Sequence, residues 1–167
     1  YQAEIDSAAE LVDFYRYNCY FMAQLMQDQP YSGSGMCNRL EYRPLEGFIF
    51  SVTPFNFTSI AGNLPTAPAI VGNVSLWKPA SSAVYSAYWL MKLFEEAGLP
   101  KGVINFVPGS GGQVGTPAMT NPNLAGVHFT GSTEVFQNMW KTISDNLKNM
   151  KYYPRIVGET GGKDFIM

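Results

Sequence analysis

The second half of the chain alternates between short β-rich runs and segments whose apolar residues recur at helical spacing. Strand-like runs lie at residues 73–77, 102–107, 124–130 and 152–158, and helical patterns lie at 81–97 and after Ser132. Alternation of this kind favours right-handed crossovers and a parallel sheet with helices on its faces. We therefore predict an α/β fold with a doubly wound, mostly parallel sheet, built from βαβ units over residues 73–158.

The chain opens with a segment that has helical periodicity. Apolar residues recur there at spacings of three and four, which predicts a leading helix over residues 3–28. The predicted buried stripe of this helix contains Ile5, Ala8, Val12, Tyr15, Cys19, Met22 and Met26. Cys19 is accordingly expected to be a buried small hydrophobic residue and not a nucleophile.

Two segments between the leading helix and residue 73 are harder to interpret. Residues 38–53 carry two short β-rich runs around a turn, which predicts hairpin-like strands. Residues 58–72 are apolar enough for a helix, but Pro65 and Pro68 would kink or divide it. The sequence leaves both possibilities open for this second segment.

Composition limits the classes of partner that the chain can have. Of its 167 residues, 46% are hydrophobic and only 14% are charged, so much of the surface is suited to burial against other material. The net charge is −2 and no basic patch stands out, which gives no support for a nucleic-acid partner. No apolar run approaches the roughly eighteen residues needed to cross a bilayer, so no membrane partner is expected.

The residues that most often bind metals are scarce. The chain has one histidine, His128, and two cysteines, Cys19 and Cys37, without a clustered ligand pattern, so no metal site is predicted. His128 lies within an apolar strand-like run and is expected to be a hydrogen-bonded core residue. Cys37 lies in a predicted loop, and no base accompanies it.

Polar or glycine-rich groups follow five consecutive strand-like runs. They are Asn56, Lys78, the turn 108–115 with the sequence "PGSGGQVG", the turn 130–132 with the sequence "TGS", and Glu159. Ligands of doubly wound sheets bind beyond the carboxyl ends of the strands, so these groups are expected at one edge of the sheet.

Each of these groups has a structural and a functional interpretation. Asn56 can stabilise a turn after Pro54 or donate a hydrogen bond to a developing oxyanion. Lys78 can be a solvated lysine or contact a phosphate or a ribose. Gly131 and Ser132 begin a predicted helix, where free N–H groups and the helix dipole favour an anion, and Ser132 can also cap that helix.

Four motifs, read together, resemble the aldehyde dehydrogenase superfamily. They are "TPFNFT", "LWKPA", "FTGST" and "GETGGK", in this order, and the resemblance covers the whole chain. It implies a Rossmann-like, NAD-binding domain that is incomplete here. The roles implied by position are the oxyanion amide for Asn56, the aldehyde pocket for Phe57, the adenosine ribose for Lys78, the pyrophosphate for Gly131 and Ser132, and the general base for Glu159.

The resemblance also implies a reaction. A cysteine of the protein attacks the aldehyde, hydride passes to NAD, and the glutamate activates water that hydrolyses the resulting thioester. Two segments, "YQAEIDSAAELVDFYRYN" and "PLEGFIFSVTPFNFTSIAGNLPTAPAIVGNVSLWKPA", give a closer resemblance, and the second has Phe55 where most relatives carry Trp. Within the superfamily they most resemble the branch that oxidises glutamate semialdehyde to glutamate in proline degradation. In that branch Glu10 matches a carboxylate near the amino end of the substrate, and the resemblance further implies a homo-oligomer, expected to be a dimer, in the mitochondrial matrix.

Two departures from the family pattern stand out. Ser81 occupies a position where relatives usually carry an acidic residue that binds the ribose hydroxyls, so the choice between NAD and NADP is open. The nucleophilic cysteine, with its catalytic domain, is expected beyond Met167. The alternatives are another NAD(P)-dependent aldehyde dehydrogenase or a non-catalytic dinucleotide-binding module, although the presence of both Asn56 and Glu159 favours an enzyme.

Overall fold

Five parallel strands form the centre of the computed structural model, which describes residues 1–162 and 165–167. The strands lie in the order β3-β2-β1-β4-β5. Their bounds are Phe48–Val52 for β1, Val74–Lys78 for β2, Ile104–Phe106 for β3, Leu124–Gly131 for β4 and Arg155–Thr160 for β5. The predicted doubly wound α/β fold is confirmed, and β1 lies at its centre, paired with β2 on one side and β4 on the other.

Helices connect the strands and cover both faces of the sheet. They are α1 (Gln2–Glu4), α2 (Glu10–Gln27), α3 (Thr58–Ile70), α4 (Val84–Glu96), α5 (Thr116–Met119) and α6 (Thr133–Asp145). One core lies between the sheet and α3 and α4, around the fully buried Trp77. The second core lies between the sheet and α5 and α6, around Phe50 and Phe129. None of the helices in the described part of the chain is long and apolar enough to cross a membrane.

The ambiguous segment 58–72 is a helix, α3, in spite of its two internal prolines. Pro68 has no N–H, so the carbonyl of Leu64 loses its normal partner four residues along the helix. Side chains of the sheet replace that partner: Ser51 Oγ donates to Leu64 O at 3.2 Å, and His128 Nδ1 lies 3.0 Å from the same oxygen. Because a carbonyl can only accept, the proton of the imidazole must be on Nδ1.

Ser51 and His128 reach the same carbonyl because they are register partners on β1 and β4. A third sheet residue, Ser75 on β2, donates to the carbonyl of Pro65 at 2.8 Å. The prediction of a hydrogen-bonded histidine within the sheet is therefore confirmed. The same contacts fix α3 against three neighbouring strands.

The leading helix packs by a different face from the one predicted. It consists of α1, a π-helical turn at Ile5–Ala9 and α2, and its buried residue is Leu11. An ideal Cβ on Gly62 of α3 would lie 2.8 Å from Leu11 Cδ1 and 2.9 Å from the Tyr15 hydroxyl, so this glycine admits the helix. Asn18 Nδ2 donates to Asn63 Oδ1 at 2.7 Å on the same face.

Most of the predicted stripe is consequently exposed. Of its members, Tyr15 and Met22 are half-buried, whereas Ile5, Ala8, Val12, Cys19 and Met26 are exposed. The prediction of a buried Cys19 was wrong, because the shape of the Gly62 groove and the Asn18–Asn63 pair, and not apolarity, decide which face packs.

The predicted hairpin at residues 38–53 was also wrong. Only Phe48–Val52 forms a strand, and residues 38–47 contain neither helix nor strand. β1 has parallel partners on both sides, so no backbone edge remains for an antiparallel neighbour.

Burial lowers the pKa of His128 below its ordinary value of 6.5. The hydrogen bond to the Leu64 carbonyl raises the pKa, but burial has the larger effect. The neutral ring is therefore favoured by the fold, and its stabilising contribution is present above about pH 6.5 and lost as the pH falls through the lower, folded pKa. We expect unfolding midpoints of the protein to fall on acidification from about pH 7.5 to about pH 5, and to fall less in His128→Gln. An identical pH dependence in both proteins, measured by denaturant unfolding, would contradict this assignment.

Candidate active site

A cavity of about 550 Å³ lies beyond the carboxyl ends of four strands. It is lined by Val52, Thr53, Pro54, Phe55, Asn56, Lys78, Ala80, Phe129, Thr130, Gly131, Ser132, Val135, Glu159, Thr160, Gly161 and Gly162. The connections leave β1 first toward β2 and β3 and then cross to β4 and β5, so the strand order reverses between β1 and β4. This is the position at which doubly wound sheets bind ligands.

Asn56 reaches the cavity on the short loop between β1 and α3. The loop is held by Thr53, whose N–H donates to the Lys78 carbonyl at 3.2 Å and whose hydroxyl accepts from Trp77 Nε1 at 3.0 Å. Within the described residues the Asn56 side chain makes no hydrogen bond, and the residue is exposed. The turn-stabilising interpretation therefore has no bond to support it, and the amide is free to donate to a ligand.

Lys78, the last residue of β2, is only 7% exposed. Its Nζ donates to the Pro79 carbonyl at 3.1 Å, and burial lowers the pKa of the ammonium group. The interpretation as a solvated lysine was wrong. A buried ammonium with a single neutral acceptor among the described residues retains donors for the hydroxyl or phosphate oxygens of a ligand.

The third group is the amino end of α6. Ser132 caps this helix, as predicted: its Oγ accepts from the Val135 N–H at 3.3 Å. The preceding N–H groups of the first turn, at Thr133 and Glu134, have no intrahelical partner. Together with the dipole of a 13-residue helix, they form a site suited to an anion at the mouth of the cavity.

Glu159 enters the cavity from β5, where it pairs in register with Thr130 of β4. The residue is exposed, and its carboxylate has no hydrogen-bond or ion-pair partner in the part of the chain that the structure describes. Gly161 turns the chain beyond it with a φ of +52°, a conformation that favours glycine. The carboxylate is therefore open to contact with a ligand or water in the cavity.

Three of the predicted site residues lie outside the lining of the cavity. Ser81 is exposed in the turn after β2, and Phe57 is half-buried at the start of α3. Glu10 accepts a hydrogen bond at 2.9 Å from Ser59 Oγ, which is fully buried in the first turn of α3. Glu10 is thereby attached to the helix that begins two residues after Asn56.

Some lining residues were missed by the sequence analysis. Phe129 and Val135 contribute an apolar wall, and Thr53 and Thr160 contribute hydroxyl groups. The alternation of Val127 and Phe129 along β4 places both on the face of α6, which is a signal that could have identified Phe129. Across the described residues, no group of three or more His, Cys, Asp or Glu is placed to hold a metal ion.

The chemistry of the donors fits a dinucleotide. The cavity combines the buried ammonium group of Lys78 with free N–H groups at the amino end of α6. It lies where the strand order of the parallel sheet reverses. In comparison with known proteins, the model of the "Aldehyde dehydrogenase family" matches residues 1–167. The chain belongs to the aldehyde dehydrogenase family.

Two relatives within this family are identical to the chain at about half of the aligned positions. The chain is 55% identical over 166 residues to a delta-1-pyrroline-5-carboxylate dehydrogenase of Agaricus bisporus, and 55% identical over 168 residues to the mitochondrial enzyme of that name in Dictyostelium discoideum. In both comparisons, 99% of this chain is aligned with 30% of the relative. The chain therefore spans less than a third of the length of these aldehyde dehydrogenases.

Solved structures of the family give the same picture. A delta-pyrroline-5-carboxylate dehydrogenase of Mycobacterium tuberculosis bound with NAD superposes with a TM-score of 0.95 at 55% identity, over 98% of this chain and 31% of that one. A 1-pyrroline-5-carboxylate dehydrogenase from Thermus with bound NAD superposes with a TM-score of 0.74 at 30% identity, over 93% and 30% of the two chains.

The two serines that follow strands β4 and β2 form a matched pair for a stability test. Ser132 caps α6 through its side chain, whereas Ser81 makes no capping bond. We expect Ser132→Ala to lower the free energy of unfolding by about 1 kcal/mol and Ser81→Ala to leave it within about 0.5 kcal/mol. Equal effects in denaturant titrations of the two variants would contradict the capping role.

Proposed function

We propose that the chain is the cofactor-binding part of an NAD-dependent dehydrogenase that oxidises glutamate semialdehyde to glutamate in proline degradation. The observation that carries the proposal is the single cavity lined by Asn56, Lys78, the amino end of α6 and Glu159. Support for the substrate comes from the names of the relatives that align with nearly the whole chain.

Asn56 acts as the oxyanion donor in this proposal. When a nucleophile adds to the aldehyde, the carbonyl oxygen gains negative charge, and a preorganised amide N–H stabilises that charge more than it stabilises the neutral substrate. The absence of a competing side-chain bond to Asn56 within the described residues supports the assignment. Neither Cys19 nor Cys37 lines the cavity, so the proposal takes the nucleophilic cysteine from another part of the protein.

Glu159 acts as the general base. Its carboxylate accepts a proton from water, and the resulting hydroxide attacks the thioester formed on the cysteine, which releases glutamate. The glycines that follow it, Gly161 and Gly162, line the same cavity and leave room for the substrate. The exposed, unpaired state of Glu159 in the described chain supports this role.

The cofactor is held by Lys78 at its ribose and by Gly131 and Ser132 at its pyrophosphate. NAD, when bound, accepts a hydride from the substrate. Ser81 contributes a hydroxyl near the ribose in place of the acidic residue that relatives usually carry. Ser81 is exposed on the turn that follows Lys78, so its hydroxyl is accessible to a ligand.

Substrate selection is assigned to Glu10 and Phe57 by their positions in the family pattern. Glu10 is assigned to the amino end of the semialdehyde and Phe57 to the aldehyde pocket, and both lie beside α3, outside the lining of the cavity that contains Asn56 and Glu159. The bond from Ser59 to Glu10 supports a fixed carboxylate near the helix that follows Asn56. We also propose the mitochondrial matrix as the location, since several relatives are named mitochondrial. A homodimer is proposed from the family resemblance alone.

Removal of the Asn56 amide tests the oxyanion role. In the product of the complete gene, we expect Asn56→Ala to lower kcat/KM by an amount equivalent to about 2–4 kcal/mol, because the transition-state charge loses its donor. Asn138→Ala, an exposed asparagine on α6, serves as the control and should retain the wild-type kcat/KM. A loss below about threefold in Asn56→Ala would remove this residue from the oxyanion hole.

Replacement of the carboxylate at position 159 tests the base role. We expect Glu159→Gln to form one equivalent of NADH rapidly and then to turn over slowly, because hydride transfer precedes the step that needs the base. Rapid-mixing absorbance measurements distinguish the two phases. Glu96→Gln, an exposed carboxylate at the end of α4, is the control, and equal steady-state rates in the two variants would exclude Glu159 as the base.

A further inference from the structure

The residue before Glu159 is a glycine with no free space above it. An ideal Cβ on Gly158 would lie 2.6 Å from Cζ of Phe136 and 2.8 Å from its Cδ2, so the ring of Phe136 rests directly on the backbone of β5. Phe136 belongs to the second turn of α6, the helix whose amino end faces the cavity.

The Phe136 ring also stacks on the ring of Phe129 of β4, with a centroid distance of 5.6 Å and an interplanar angle of 17°. Phe129 is the register partner of Gly158, and it is 3% exposed. Phe129 also limits the other side of the site, because an ideal Cβ on Gly131 would lie 2.6 Å from its Cζ. The stacked pair therefore fills the space between the two strand ends that lead to Gly131 and Glu159.

The end of β5 is held by its backbone pairing with β4, in which Glu159 lies opposite Thr130 and Thr160 opposite Gly131. In the described sheet β5 is an edge strand, paired on one side only, by β4. The Glu159 carboxylate has no partner among the described side chains, so its location follows from the backbone that carries it. The contact of Phe136 with Gly158 is made one residue before that carboxylate.

We propose that Phe136 is a positioning residue for Glu159, and that it acts by pressing on the bare backbone of Gly158 while it is stacked on Phe129. This inference rests on the proposed function, because it assigns Phe136 to the step that the general base serves. Because Phe136 is carried by α6, the same side chain ties the location of the base to the helix whose amino end binds the cofactor pyrophosphate.

A methyl group at position 158 tests the contact. In the product of the complete gene, Gly158→Ala places a Cβ against a ring that is stacked on Phe129, so the ring and β5 move apart and Glu159 leaves its productive position. We expect the rapid formation of one equivalent of NADH to persist, and the following steady-state rate to fall by about tenfold or more. Adding Phe136→Leu to Gly158→Ala makes room for the methyl group and should recover at least about threefold of that loss.

Two further proteins complete the experiment. Phe136→Leu alone removes the ring over Gly158. It should lower the steady-state rate, while the rapid phase and the KM for NAD stay unchanged. This variant tests the positioning role of Phe136 even if Gly158→Ala does not fold. Gly112→Ala, at an exposed glycine with no atom within 4 Å of an ideal Cβ, is the control and should behave as the wild type.

The outcomes separate this inference from the proposed function. A wild-type steady-state rate in Gly158→Ala and Phe136→Leu, or equal loss of both kinetic phases without recovery in the double variant, would overturn the positioning role of Phe136. Failure of Glu159→Gln to show the rapid phase followed by slow turnover would instead overturn the base assignment on which the inference depends.

Discussion

The seating of α3 on the sheet depends on a backbone carbonyl that its own helix cannot satisfy. Pro68 removes the N–H that would bond Leu64, and a buried carbonyl without a partner is destabilising by about 1–3 kcal/mol. Ser51 and His128 supply two donors from adjacent strands, and Ser75 supplies a third to Pro65. These bonds are specific in direction and register, unlike apolar contacts, so they fix both the rotation and the height of α3.

The position of α3 in turn determines the organisation of the site. Asn56 lies two residues before its first turn, and Ser59 within that turn bonds Glu10 of α2. The groove at Gly62 receives Leu11 and Tyr15, which brings α2 and its carboxylate to the same end of α3. The Tyr15 hydroxyl lies in the same contact, and burial raises its pKa by more than the neighbouring Thr66 lowers it.

The sequence was informative where a pattern reflects one dominant force. Alternating strands and helices predicted the parallel sheet. Strand ends predicted that Asn56, Lys78, the turns 108–115 and 130–132, and Glu159 would share an edge, and all of these except the turn 108–115 line the cavity. It failed where packing details decide. The inward face of α2 follows a groove at a distant glycine, and the hairpin predicted at residues 38–53 is absent because both edges of β1 are occupied. Local periodicity contains no information about the groove or about the occupied edges, so the two predictions made from it failed. The roles of Glu10 and Phe57 came from the resemblance to the family and not from spacing.

Under the proposed function, helices on one face of the sheet bind the substrate and a helix on the other face binds the cofactor. α2 and α3, on one face, carry the groups assigned to the substrate, whereas α6, on the other, carries the terminus assigned to the cofactor. A change in the packing of α2 against α3 can therefore alter which aldehyde is accepted while the dinucleotide site is preserved. Such an arrangement allows a lineage of enzymes to diversify in substrate while all its members draw on the same cellular pool of oxidised cofactor.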